Sequence, residues 1–234
     1  MAKLKAPKSV TRRTADAGRD GPRGWVERAQ DFYFERKSLV TGLAAAVIII
    51  VAGILGFNYI QGERVRQAEE LLGGIIMHYE NGDYRTALDG SGETLGLLDI
   101  IDQYGSLSAG NMARFYAGDA LFRLGNYDEA LVYFEAFDAK DNLVGASAIA
   151  GQAAIYELRQ DYEQAGALYR RAAGMEDNSL RSPVYLVAAS RAYSEAGQFE
   201  RAEEALETAI EQYPDTDLED EIEFRLGFVR VRMN

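Results

Sequence analysis

The chain has 234 residues, with 25 Lys/Arg against 37 Asp/Glu for a net charge of −12, no cysteine and one histidine, His78. Without cysteine there is no disulfide framework, no thiolate nucleophile and no Cys-ligated zinc. The acidic balance argues against a nucleic-acid partner, whose phosphates demand a basic footprint. No phosphate-cradling glycine loop and no H-E-x-x-H pair occurs, so no cofactor, metal or catalytic residue is expected.

Residues 1–24 mix Lys/Arg with Gly, Pro, Ser and Thr without apolar periodicity, which predicts a disordered tail. From Trp25 to Lys37, WVERAQDFYFERK, the residues Trp25, Ala29, Phe32 and Tyr33 share one helical face. Arg36 and Lys37 follow at its end. This pattern suits a short amphipathic helix at a membrane interface, aromatics toward the headgroups and basic ends near anionic lipid.

Leu39 to Ile60 is a run of 22 residues without a charge. As a helix it spans roughly 33 Å, enough to cross a hydrocarbon core of about 30 Å. The run is too long and lies too far from the start for a cleaved signal peptide, and no A-x-A site follows it. It is therefore expected to be an uncleaved signal anchor. Residues 1–38 carry ten basic and five acidic side chains, net +5, which leaves −17 for residues 61–234. Basic residues favour the cytoplasmic side. The expected domains are a basic cytoplasmic tail (1–38), a transmembrane anchor (39–60) and an extracytoplasmic domain (61–234). Within the anchor, Gly42, Ala46, Gly53 and Gly56 fall on one face, where small residues would let a partner helix dock closely.

After the anchor one pattern recurs four times: NGDYRTAL (81–88), LGNYDEAL (124–131), RQDYEQAG (159–166) and AGQFERAE (196–203). Each pairs an aromatic with an alanine three residues on: Tyr84/Ala87, Tyr127/Ala130, Tyr162/Ala165 and Phe199/Ala202. The alanines are 43, 35 and 37 residues apart, close to the 34-residue period of tetratricopeptide repeats. A turn residue breaks helix A, the aromatic starts helix B, and alanine lets the two approach. Gly118 and Leu121, Ala153 and Tyr156, then Ser190 and Tyr193 match on helix A. Phe134 and Phe137, Tyr169 and Ala172, then Leu206 and Ala209 match on helix B. The first unit degenerates after Ala87, and its helix B is expected over Leu95 to Ile101. Asp217 to Met233, with Ile222, Leu226 and Val229/Arg230 on one side, is expected to be a solvating cap helix. The fold class is all-α: a single transmembrane helix, then a tetratricopeptide-type α-solenoid of about four helix pairs and a cap.

The layout of basic N-terminus, aromatic FYFERK lead-in, one anchor and a repeat domain resembles the YfgM-type ancillary subunit of the SecYEG translocon. The stretch IDQYGSLSAGNMARFYAGDALFRLGNYDEAL (101–131) carries part of that likeness. The resemblance implies an inner-membrane protein with its C-terminal domain in the periplasm. Its implied partners are translocon subunits, a membrane-anchored periplasmic chaperone and emerging clients, and it implies no catalytic residue.

In tetratricopeptide domains helix A of successive units lines the binding surface. By register this surface receives Leu72, Ile76 and Tyr79; Met112, Phe115, Asp119, Phe122 and Arg123; Ala150, Ala154 and Glu157; and Val187, Arg191 and Glu195. Leu72 and Ile76 stand where a carboxylate clamp would carry Lys and Asn, which argues against that activity. An apolar floor with few charges suits an unfolded segment or an amphipathic helix. The leading expectation is a non-enzymatic, membrane-tethered scaffold or co-chaperone at the secretion machinery. The alternatives are an envelope or cell-division scaffold of the Tol-Pal-associated type, or an enzyme using carboxylates such as Asp138 and Asp141. Homo-oligomerisation is left open.

Overall fold

A computed structural model describes residues 22–92, 94–139, 143–175 and 178–233. Residues 1–21 of the tail expected over 1–24 lie outside these residues, as does Asp141, whereas residues 22–24 are helical and begin α1. The chain divides into two units between Gln61 and Gly62.

In the first unit, α1 (Pro22–Glu35) opens on a proline, whose fixed φ suits the first helical position. Its Phe32, Tyr33 and Phe34 are exposed. Helix α2 (Lys37–Glu80) begins after Arg36 and contains the whole uncharged run. Among the described residues it is the one helix long and apolar enough to cross a membrane, and none of its most apolar window is buried.

In the second unit, Gly62–Glu80 of α2 is followed by α3 (Tyr84–Asp89) and α4 (Leu97–Tyr104). Three helix pairs come next: α5 (Ser108–Arg123) with α6 (Tyr127–Ala136), α7 (Leu143–Leu158) with α8 (Tyr162–Met175), and α9 (Ser182–Glu195) with α10 (Phe199–Gln212). The last helix is α11 (Glu219–Met233). This is a tetratricopeptide-type α-solenoid.

The four repeated motifs fold into four copies of one turn. Gly82, Gly125, Gln160 and Gly197 all take positive φ, between 62° and 82°. In each turn the next backbone N–H reaches back to the fifth residue before it: Asp83 to His78, Asn126 to Leu121, Asp161 to Tyr156 and Gln198 to Tyr193, at 2.8–2.9 Å. That is the bond that closes a helix through a left-handed residue. The same four residues then start the next helix, their carbonyls accepting from Ala87, Ala130, Ala165 and Ala202. All four alanines are fully buried. The signature therefore encodes the end of one helix, the start of the next and the point where the two touch.

The first helix B is not one helix. Helix α3 stops at Gly90, which has φ 77°; Ser91 and Thr94 form an isolated bridge, and α4 restarts behind Gly96. A Cβ at Gly96 would lie 2.1 Å from the Leu88 carbonyl oxygen, so the fold there needs bare backbone. The 43-residue spacing of this unit is taken up by that detour.

Successive pairs meet through aromatic rings laid on glycine. The buried Phe134 ring lies where Cβ atoms on Gly118 and Gly151 would stand, at 2.9 and 2.7 Å. Gln152, also buried, donates from Nε2 to the Phe134 carbonyl at 3.0 Å. Between the next two pairs the roles reverse, and the Tyr193 ring of α9 lies where a Cβ on Gly166 of α8 would stand, at 2.6 Å. Ile222, Leu226 and Val229 of α11 are buried, and Arg230 reaches Glu203 and Glu207 of α10 at 2.6 and 2.8 Å. The opposite face of α11 departs from the expected solvating cap, because Phe224, Phe228 and Val231 stand exposed on it.

Two stability outcomes follow. Gly151→Ala gains up to about 1 kcal/mol of helix propensity, but it overpacks Phe134 at a typical cost of about 1–3 kcal/mol. Thermal unfolding should register a net loss, whereas Gly74→Ala, with nothing within 4 Å, should gain. Gln160 is the one non-glycine at positive φ among the described residues. Gln160→Gly should therefore raise stability by roughly 1 kcal/mol, and Gly125→Ala should lower it by a similar amount.

A candidate partner-binding surface along the first helix of each pair

Three of the residues assigned to this surface come together at one point. The Tyr79 hydroxyl of α2 donates to Asp119 Oδ2 of α5. Arg123, one turn on, donates from Nε to the same oxygen at 2.5 Å. Its guanidinium lies 5.5 Å from the Tyr84 ring centroid. Tyr79 also meets Tyr84 and Tyr116 edge-on at 5.6 and 5.0 Å. Tyr84 and Tyr116 were not foreseen in this site. Tyr84 starts helix B as its motif predicts, and its ring doubles as a platform for Arg123.

Burial first, then the bond to Asp119, pushes the Tyr79 phenol well above its usual range. The Arg123 guanidinium is held charged mainly by its hydrogen bond to Asp119. The cluster thus holds a neutral phenol, a carboxylate and an arginine whose side chain remains half exposed.

Arg191 belongs to a second cluster. It grips Glu157 with two bonds of 3.0 Å, from Nε to Oε1 and from Nη2 to Oε2. Tyr169 of α8 donates its hydroxyl to Glu157 Oε2 at 3.1 Å. Burial foremost, and the neighbouring Glu157 next, push the Tyr169 phenol up; the bond to Glu157 raises the Arg191 pKa. Both clusters join an acid on a helix A to a tyrosine, partly buried at Tyr79 and buried at Tyr169, and to a half-exposed arginine.

The aromatic members are held inside the wall. Phe115 is half-buried, its ring centroid 5.4 Å from Tyr116, 5.9 Å from Phe137 and 6.2 Å from Phe134. Phe122 packs edge-on against Tyr127 at 5.3 Å. Met112 lines a cleft of about 390 Å³ with Asn111, Arg114, Phe137 and Val144. Leu72 and Val187, assigned to the surface by register, are buried. In the first unit, Gly42, Ala46, Gly53 and Gly56 are exposed, and Cβ atoms on the three glycines would meet nothing within 4 Å. His78 Nδ1 lies 3.6 Å from Asp83, and Asn111 brackets the Asp138 backbone at 2.8 and 3.2 Å. Among the described residues no group of three or more His, Asp or Glu could hold a metal.

This geometry is that of a protein-interaction solenoid. Residues 158–219 and, separately, residues 112–140 match family models of the tetratricopeptide repeat. A comparison with curated proteins finds no match. The first matched segment contains α8, α9 and α10, and the second contains α5 from Met112 onward and all of α6.

The raised Tyr79 and Tyr169 phenols make stability pH-dependent. Their pKa values are higher folded than unfolded, so the folded chain binds more protons above about pH 10, where a free phenol ionises. Stability should be complete below that pH and fall as pH rises through the alkaline range. The Tyr79→Phe/Tyr169→Phe variant should lose less, read as melting temperature against pH between about 9 and 11.

Proposed function

We propose that the protein is a non-enzymatic scaffold tethered to the bacterial inner membrane by Leu39–Ile60, with its repeat domain in the periplasm. The observation that carries this reading is the pairing of a fully exposed apolar helix segment with an interaction solenoid. The basic residues before Leu39 support an N-terminus inside. The likeness in layout to the YfgM-type subunit supports translocon subunits, a membrane-anchored chaperone and emerging clients as partners. Tethering raises local concentration, so modest affinity suffices.

Within the solenoid, the rim formed by Tyr79, Met112, Asp119, Arg123 and Arg191 is the partner-binding surface, with Phe115 and Phe122 as its aromatic floor. In the membrane, Gly42, Ala46, Gly53 and Gly56 are the helix-docking face. Because Phe115 packs on Phe134 and Phe137, the arginines are the cleaner probes. They are half exposed, and arginine anchors commonly lose about 2 kcal/mol on truncation, roughly thirtyfold in affinity.

Photocrosslinkers placed beside Arg123 and Arg191 in intact cells should capture translocon or chaperone subunits. The Arg123→Glu/Arg191→Glu variant should reduce that capture at least tenfold while its melting temperature stays close to the parent's. Undiminished capture by the folded variant would exclude the rim. Capture of envelope or division proteins instead would move the scaffold to that machinery. A reporter active only outside the cytoplasm, fused after Asn234, should be active, and an inactive reporter would overturn the orientation.

A further inference from the structure

Helix α11 carries two apolar stripes. Ile222, Leu226 and Val229 are buried against the solenoid. Phe224, Phe228 and Val231 are 78%, 48% and 76% exposed. A contiguous apolar face left exposed on a folded domain invites association. These residues do not lie scattered. Asp220, Phe224, Gly227 and Val231 follow one another at intervals of 4, 3 and 4, the seam of a helix that packs along another helix. Gly227 sits in the middle of this seam with open space where a Cβ would be.

Charge along the same helix is polarised. Glu219, Asp220 and Glu221 fill the first turn, and Arg230 and Arg232 the last. That order suits the helix dipole by itself, but it also makes the outer face self-complementary in one orientation only. Asp220 and Arg232 hold no ion pair among the described residues, and Arg232 lies over the Phe228 ring at 5.2 Å.

We propose that the outer face of α11 binds a second copy of itself, antiparallel, about a two-fold axis near residues 225–226. In this register Phe224 of each copy sits over the bare Gly227 of the other. Asp220 meets Val231 and Arg232 of its counterpart, and the Phe228 rings close the flanks. A parallel pairing places acid on acid and arginine on arginine, so charge selects the antiparallel form. A buried aromatic covers about 150–250 Å². The exposed parts of Phe224, Phe228 and Val231 therefore offer roughly 350 Å² per copy, about 700 Å² across the pair. That falls short of the 1,200 Å² or more of stable complexes, so the dimer forms and separates with concentration.

The chain has no cysteine, which makes disulfide capture in the full-length protein a clean test. Asp220→Cys and Val231→Cys chains, mixed in detergent and oxidised, should crosslink to each other. Asp220→Cys alone should not, because antiparallel pairing separates its two copies by about 16 Å along the axis, beyond disulfide reach. Asp220→Arg in the Val231→Cys chain and Arg232→Asp in the Asp220→Cys chain, introduced in turn, tune charge at the same contact. Either substitution alone should cut the crosslinked fraction at least fivefold, and both together should restore it. Phe224→Ser should also cut it, with unchanged melting because the ring is exposed. Self-crosslinking of Asp220→Cys alone, absence of the mixed product, or failure of the charge exchange to restore it would each overturn the proposal. So would loss of binding to anionic vesicles in Phe224→Ser with crosslinking unchanged, which assigns the face to membrane.

Discussion

Rings laid against bare glycine backbone set the distance between successive helix pairs, and the remainder of the solenoid depends on that distance. Phe134 is held between Gly118 of its own pair and Gly151 of the next, and Tyr193 rests on Gly166 in the same manner. A helix carrying any side chain at these points would stand off, opening a void beside the fully buried Ala117, Ala153 and Ala189. Small residues elsewhere on α5, α7 and α9 make sense only because the aromatic rings bring the helices this close. Packing of this density leaves no slack, so the register of each pair is fixed by its neighbour.

That fixed register is what lets polar clusters stand along the helix-A surface. Asp119 with Arg123 and Glu157 with Arg191 are each completed across repeats, by Tyr79 of α2 in one case and by the pairing of α7 with α9 in the other. Tyr169 belongs to the core and Tyr79 packs against it, whereas the two arginines stay half exposed. Each cluster thus holds a guanidinium at the surface. Arginine suits this task because one edge can grip the carboxylate while the other stays available.

The turn signature was readable because it reports on backbone geometry: a left-handed residue, an N-cap and a close helix contact occur at invariant spacing. Gln160 shows the limit, since the third copy keeps the turn although glycine is missing from it. The extra length of the first unit was visible as a 43-residue interval, but nothing local marked its helix B as two helices, α3 and α4. Contacts between units were less legible. Gly151 and Gly166 lack a fixed separation from the rings that cover them, and Tyr84 was recognisable as a turn aromatic but not as a seat for Arg123. On α11 the inward stripe accounts for the helix by itself, and the second stripe is distinguished only by the exposure of Phe224, Phe228 and Val231.

The charge-matched clusters also constrain what a partner can be. A free carboxylate approaching Arg191 must compete with Glu157, which already holds it by two bonds of 3.0 Å. It gains little from the exchange unless it also offers apolar surface. A segment that brings aromatic or aliphatic side chains to the rim meets no such competition, because the half-buried rings of Phe115, Phe122 and Tyr116 have no rival ligand to displace. Under the proposed function, recognition by this surface rests on apolar contact, with the half-exposed arginines fixing direction. A binder of that kind has low affinity in dilute solution and broad sequence tolerance. Under the same proposal, a tether that confines solenoid and partner to one membrane would make such binding sufficient.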